Sequence, residues 1–153
     1  MTMQPYPHSY EASAGAEPTG IVAVASPRLE SLRTAPPSEF GGPGDLWSPE
    51  TLLVASVANC FVLTLRALAR AAGFRWLRLD CRVEGVLDRV EGVTRFSRFV
   101  THAALTVPGG TDEAAARKLL ERAEHGCLIA NSLRAERHIE ATITAIEEAA
   151  VEV

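Results

Sequence analysis

The chain is almost without lysine: Lys118 is the only one among 15 basic residues. Arginine is spread thinly, no window holds a Lys/Arg cluster, and the formal net charge is −4. Nucleic-acid binding has no electrostatic footprint here. The first ten residues, MTMQPYPHSY, have neither a basic start nor an apolar core, so they do not form a secretory signal. A cytoplasmic location is the expectation, and a permanent disulfide is then disfavoured. Cysteine is scarce too. Cys60, Cys81 and Cys127 are the three present, at spacings that match no zinc ribbon or finger. Nothing in the sequence calls for a cofactor.

Another absence marks the centre of the chain. Between Thr51 and Leu65 there is no charge, no glycine and no proline. Ser48 is a good helix cap, Pro49 suits the first helical position, and Glu50 complements the positive helix end. The run from Ser48 to Gly73 therefore predicts one long helix, buried on nearly every face. A membrane span is the rival. The uncharged stretch is short for a bilayer and carries Ser56, Asn59 and Thr64, which favours a core helix and no membrane association.

The rest divides around this helix. Residues 1–15 read as a loose, flexible tail rich in proline, alanine and small polar residues. GIVAVAS from Gly20 predicts a short strand, and Leu29 to Arg33 a second. Thr34 to Trp47 holds three prolines and three glycines in fourteen residues, which makes it a shaped loop. From Trp76 to Asp88 the odd positions Leu77, Leu79, Cys81, Val83 and Leu87 alternate with charged ones, the pattern of a half-buried strand. After a turn, a second strand over Thr94 to Val107 puts Phe99, Ala103, Leu105 and Val107 on one face. Thr111 is placed to cap a second helix ending at Gly126. A short helical turn follows Cys127, and His138 to Ala145 alternates as a closing strand. The class is α+β.

Cys81 lies on the apolar face of its strand and reads as a small buried hydrophobe. Cys60 admits the same reading, yet Asn59 and Thr64 bring polar groups close to it. Cys127 sits at a helix boundary beside His125, where a reachable thiol would be. A Cys60/Cys127 redox pair, two inert thiols and a metal set of Cys60, His125, Cys127 and His138 all remain open.

The stretch EFGGPGDLWSPETLLVASVANCF, with GCLIANSL around Cys127, resembles the two cysteine motifs of the OsmC/Ohr family of organic-hydroperoxide-reducing proteins. The similarity runs from about Gly20 to the C-terminus. It implies a single OsmC-like domain over 16–153 and an intertwined homodimer in which both subunits bury the central helices. By that resemblance Cys60 is the peroxidatic thiol, Cys127 the resolving thiol, and Glu50 the helix-start glutamate. The cycle passes through a sulfenic acid and a disulfide, which a dithiol, such as a lipoylated protein, reduces. The family also uses an arginine. The positions expected for it read Val22 and Glu39, with Arg28 and Arg33 nearby. The alternative is accordingly a catalytically weak small-molecule-binding or redox-sensing member.

In a straight helix, Glu50 and Cys60 lie about 15 Å apart along the axis. Glu50 would then act through the partner subunit or a folded-back loop. Val57, Leu53 and Leu63 share the Cys60 face and, with Phe40 and Trp47 from the loop, suit a peroxide with an apolar group. For Leu53 and Leu63 a plain core role is the simpler reading. Phe40, Trp47 and Val57 are the candidate substrate-binding residues.

Overall fold

Small residues at the N-terminus pair sooner than their composition suggests. In the computed structural model, which describes residues 3–147, Ser13–Ala16 forms strand β1. Gly15 lies in that strand, so the ordered chain reaches into the segment expected to be tail. β1 pairs antiparallel with β2 (Val22–Ala25), which pairs antiparallel with β3 (Leu32–Thr34). The strand expected at Leu29 starts three residues later. Leu29 is instead in a turn, with its N–H donating to the Ser26 carbonyl at 3.1 Å and Arg28 at φ 65°.

These strands belong to the first of two compact units, residues 1–52 and 53–153. The loop after β3 is shaped as expected. The Thr34 hydroxyl donates to the Val22 carbonyl at 3.1 Å, and the Ala35 N–H donates to the Trp47 carbonyl at 3.0 Å. Between them Ser38–Phe40 makes one 3-10 turn. At Gly42 a Cβ would lie 1.6 Å from the Pro36 carbonyl oxygen, so only glycine fits. Ser48 caps helix α1 (Pro49–Ala72) reciprocally. Its hydroxyl accepts from the Thr51 N–H at 3.1 Å, and its own N–H donates to the Thr51 hydroxyl at 2.8 Å.

The second unit holds a sheet in the order β4-β5-β6. β4 (Arg78–Val90) and β5 (Val93–Pro108) form the long hairpin, and β6 (Glu136–Ile146) pairs parallel with β5. A parallel neighbour needs a crossover. Helices α2 (Glu113–Gly126) and α3 (Leu128–Asn131) supply it. Asp112, not Thr111, caps α2, its carboxylate accepting from the Ala114 and Ala115 N–H groups. Gly126 is the last helical residue and Cys127 closes the helix.

The core of this unit joins Phe61, Leu65 and Ala69 of α1 to Ala103, Leu105 and Val107 of β5 and to Leu119, Leu120 and Ala123 of α2. A second cluster gathers Val57, Phe99, Cys127 and Ala130. Gly85 matters to it: a Cβ there would stand 2.8 Å from the Val54 side chain and 2.9 Å from the Phe96 ring.

Two expectations change. Leu87, expected on the covered face of β4, is 37% exposed near the end of the hairpin, where β5 carries an extra residue, Ser97, and the register shifts between Val86 and Leu87. And α1 is not buried all round within one chain. Its buried residues are the single stripe Val57, Phe61, Leu65 and Ala69. By length and composition alone this helix could cross a membrane, because the apolar stretch continues past Arg66. Its stripe is instead packed against β5 and α2, as in the interior of a globular domain.

Candidate functional site

Cys60 lies on α1 one residue before Phe61, at the margin of the core stripe. Cys127 lies at the break between α2 and α3, where it is 2% exposed. The fold brings these two side chains together from positions 67 residues apart in the chain (127 minus 60), each thiol within hydrogen-bonding influence of the other. Both are free thiols. Cys60 Sγ also lies 4.0 Å from the Thr64 hydroxyl, one helical turn on, and Cys127 Sγ lies 3.9 Å from the Val57 carbonyl oxygen.

Burial pushes the Cys60 thiol up, but the donors around its sulfur outweigh that effect. The Ile129 N–H, the Cys127 thiol, the Thr64 hydroxyl and the Leu128 N–H together bring it below the usual thiol range. Cys127 moves the opposite way. Burial raises it, and its contact with Cys60 and the charge Cys60 carries raise it further, against opposing pulls from the Ala130 and Ile129 N–H groups. The arrangement therefore concentrates thiolate on Cys60 and keeps the proton on Cys127. Cys81 behaves as a buried hydrophobe. It faces inward opposite Ala103, and burial pushes it up to about 11, with a smaller contribution from Cys127.

The surroundings are apolar: Leu53, Val54, Val57, Phe96, Phe99, Leu133 and Ala135 pack with the two cysteines. Val57 is thus next to the pair, as its helical spacing suggested. Asn59 is exposed and contributes nothing to it; Thr64 is the polar neighbour that does. Phe40 and Trp47 belong to the first unit and are both exposed, Phe40 at the end of the 3-10 turn and Trp47 bridged to Thr34. Glu50 stands in the first turn of α1, and its Oε2 is buried without a hydrogen-bond partner among the described residues.

Among the described residues no group of three or more His, Cys, Asp and Glu side chains could hold a metal. His125 is exposed, with Nδ1 2.8 Å from the Glu121 carbonyl.

Sequence reasoning missed the backbone donors of α3. The short helical turn after Cys127 was expected, but the approach of Leu128 and Ile129 to Cys60 is a tertiary fact. It also missed Glu124 and Arg137, which are paired at 3.0 Å beside the break.

The model of one protein family, described as OsmC-like protein, matches residues 42–142, a range that contains both cysteines and the whole hairpin. The uncharacterised protein YmaD of Bacillus subtilis is 27% identical over 112 residues, covering 70% of this chain and 75% of that protein. The peroxiredoxin OsmC of Escherichia coli is 28% identical over 89 residues, covering 58% of this chain and 62% of that protein. Among solved structures, an OsmC-like protein of unknown function from Vibrio cholerae superposes with a TM-score of 0.81 at 15% identity, covering 89% of this chain and all of that one. That likeness establishes the fold.

Proposed function

The chain belongs to the OsmC-like protein family, and on that premise we propose that it reduces organic hydroperoxides to alcohols by a two-cysteine cycle. One observation carries the reading: two free thiols meet in an apolar setting, with the first shifted toward thiolate and the second held protonated. The Cys60 thiolate attacks the terminal peroxide oxygen, the O–O bond breaks, and the alkoxide leaves as alcohol after taking a proton. Cys60 becomes a sulfenic acid. Cys127 then attacks that sulfur, displacing hydroxide, which leaves as water with the Cys127 proton. An external dithiol, such as a lipoylated protein, returns both cysteines to thiols.

Ionisation alone is a small part of the rate. Lowering a thiol pKa from about 8.5 to about 6 raises the thiolate fraction roughly thirtyfold at neutral pH. Intrinsic nucleophilicity falls about ten- to eighteenfold over the same change. Stabilising the departing alkoxide and positioning the peroxide carry most of the acceleration. The apolar walls around the pair, Val57 among them, suit an organic group.

The coupling between the thiols orders the steps. In the resting enzyme the Cys60 thiolate helps to hold the proton on Cys127. Oxidation makes Cys60 neutral, removes that charge, and frees Cys127 to ionise when its attack is needed.

The working form is a homodimer in the cytoplasm, and Glu50 takes part through the partner subunit. A second reading, a weakly catalytic binding or sensing member, is favoured by Val22 and Glu39 standing where the family arginine is expected. Mass spectrometry after one equivalent each of cumene hydroperoxide and hydrogen peroxide separates the two. A Cys60–Cys127 disulfide that forms faster with the organic peroxide supports the peroxidase. No disulfide with either oxidant favours binding.

A further inference from the structure

The segment that carries Cys127 is too short to hold itself in place. α3 has four residues, far below the length at which a helix is stable alone. The Cys127 N–H reaches back to the Glu124 carbonyl at 3.3 Å, and the Asn131 N–H donates to the Cys127 carbonyl at 2.9 Å. Those two bonds do not tie the break to the sheet.

Arg137 does. It sits on β6 in register with the buried Phe99 of β5, which packs in the same cluster as Cys127. Its Nε pairs with Glu124 Oε1 at 3.0 Å, on the last turn of α2. Its Nη1 donates to Asn131 Oδ1 at 2.8 Å, at the end of α3. The Asn131 amide then donates its Nδ2 to the His125 carbonyl at 3.1 Å. The circuit Glu124–Arg137–Asn131–His125 encloses the break on both sides. The Glu124 and Arg137 side chains are only 13% and 22% exposed, so this charge-assisted contact is less screened than a surface pair. Guanidinium is the group that can serve two acceptors in fixed, divergent directions; an ammonium on a flexible stem holds one of them loosely.

We propose that Arg137 is a positioning residue for the cysteine pair: by bridging Glu124 to Asn131 it fixes the break between α2 and α3 and presents Cys127 to Cys60. The proposal rests on reading the pair as redox-active. Resolution forms an S–S bond of about 2 Å and breaks the sulfenic S–O bond, with hydroxide leaving as water on the Cys127 proton. Its rate depends on the effective concentration of the Cys127 sulfur at Cys60. A loosened break lowers that concentration, and a waiting sulfenic acid takes a second oxidation to sulfinic acid. The same movement withdraws the Leu128 and Ile129 N–H groups from Cys60, which makes the thiol harder to ionise.

The test compares the full chain with Arg137→Gln, Arg137→Lys and Asn131→Ala. Three readouts are taken: amide exchange over residues 127–131, Cys60 alkylation against pH, and disulfide closure after one equivalent of cumene hydroperoxide. Arg137→Gln is expected to raise exchange and slow closure by about tenfold or more. Sulfinic Cys60 accumulates, and the Cys60 alkylation profile moves to higher pH. Arg137→Lys recovers part of each effect. Asn131→Ala, at an exposed residue, shows the same directions with a wild-type melting temperature, and it decides the matter if Arg137→Gln does not fold. Wild-type exchange and closure in a folded variant would overturn the proposal while leaving the peroxidase intact. Absence of a peroxide-driven disulfide in the unmodified chain would overturn the peroxidase reading, and exchange with alkylation would still decide whether Arg137 holds the break.

Discussion

At the level of single residues, the three cysteines illustrate how environment assigns different chemistry to one functional group. Cys60 meets four donors, Cys127 meets the sulfur of Cys60, and Cys81 meets apolar side chains. Cys60→Ser is expected to abolish peroxide turnover, whereas Cys127→Ser permits one oxidation per site and then accumulates sulfinic acid, as mass spectrometry would show. Cys81→Ala retains turnover. The sign of its pH effect follows from burial. A thiol raised from 9.0 to about 11 is stabilised in its neutral form. The folded state then loses stability as pH climbs from about 9 toward 11, because the unfolded chain releases the proton first. Thermal melts over that window should fall less steeply in Cys81→Ala than in the unmodified protein. Cys60 has the opposite sign: its lowered pKa contributes stability above the usual thiol range, lost as pH falls through its own midpoint. The Cys60 alkylation rate should accordingly rise at lower pH than that of a model thiol. Cys81 was legible as an inward position of an alternating strand. The thiol meeting was legible only through the family resemblance, since no spacing in a chain reports a contact between a helix and a distant helix break.

At the level of elements, local rules succeeded where one pattern dominates and failed where small or irregular pieces pair at long range. The S-P-E start of α1 announced its cap, and Ser48 makes the expected bond to the Thr51 N–H. Ser48→Ala should cost about 1 kcal/mol in denaturant unfolding, the usual worth of such a cap. The β4 alternation was legible through Val83. The register shift opposite Val86 was hidden, because its extra residue, Ser97, lies on β5 and breaks no pattern in β4. β1 was invisible for another reason: Ser-Ala-Gly-Ala has no hydrophobic period, and only its pairing with β2 makes it a strand. The parallel seat of β6 follows from the α2–α3 crossover rather than from anything inside β6. Gly85 joins sequence to packing most directly. Gly85→Val would drive side-chain atoms into Val54, Phe96 and Phe99, beside the cluster that holds Cys127. The expected loss is about 1–3 kcal/mol of stability, the usual range for overpacking a filled core. Disulfide closure should slow in the same variant if it still folds.

At the level of the whole molecule, a single chain leaves its central helix half-used. The buried stripe of α1 takes in Val57, Phe61, Leu65 and Ala69, while Leu63 on the same helix is 51% exposed. A helix apolar on more than one face in water is covered by something, and a large exposed apolar surface marks an association site. Glu50 adds a polar argument. A carboxylate oxygen buried without a partner costs far more than one that is hydrogen-bonded, and none of the described residues satisfies Oε2. A second copy of the chain would meet both needs, which is the basis on which the dimer is proposed. Sedimentation velocity should find a dimer at micromolar concentration. Leu63→Asp puts a charge into the covered face and should weaken the dimer at least about tenfold, or about 1.4 kcal/mol. Glu50→Gln removes the charge but keeps the size, and should weaken the dimer if the partner supplies a cation to Oε2. Peroxidase activity per chain should fall on dilution in step with dissociation in Leu63→Asp. A monomer of undiminished activity would remove the partner subunit from the site, leaving Cys60 and Cys127 to work on the resources of one chain.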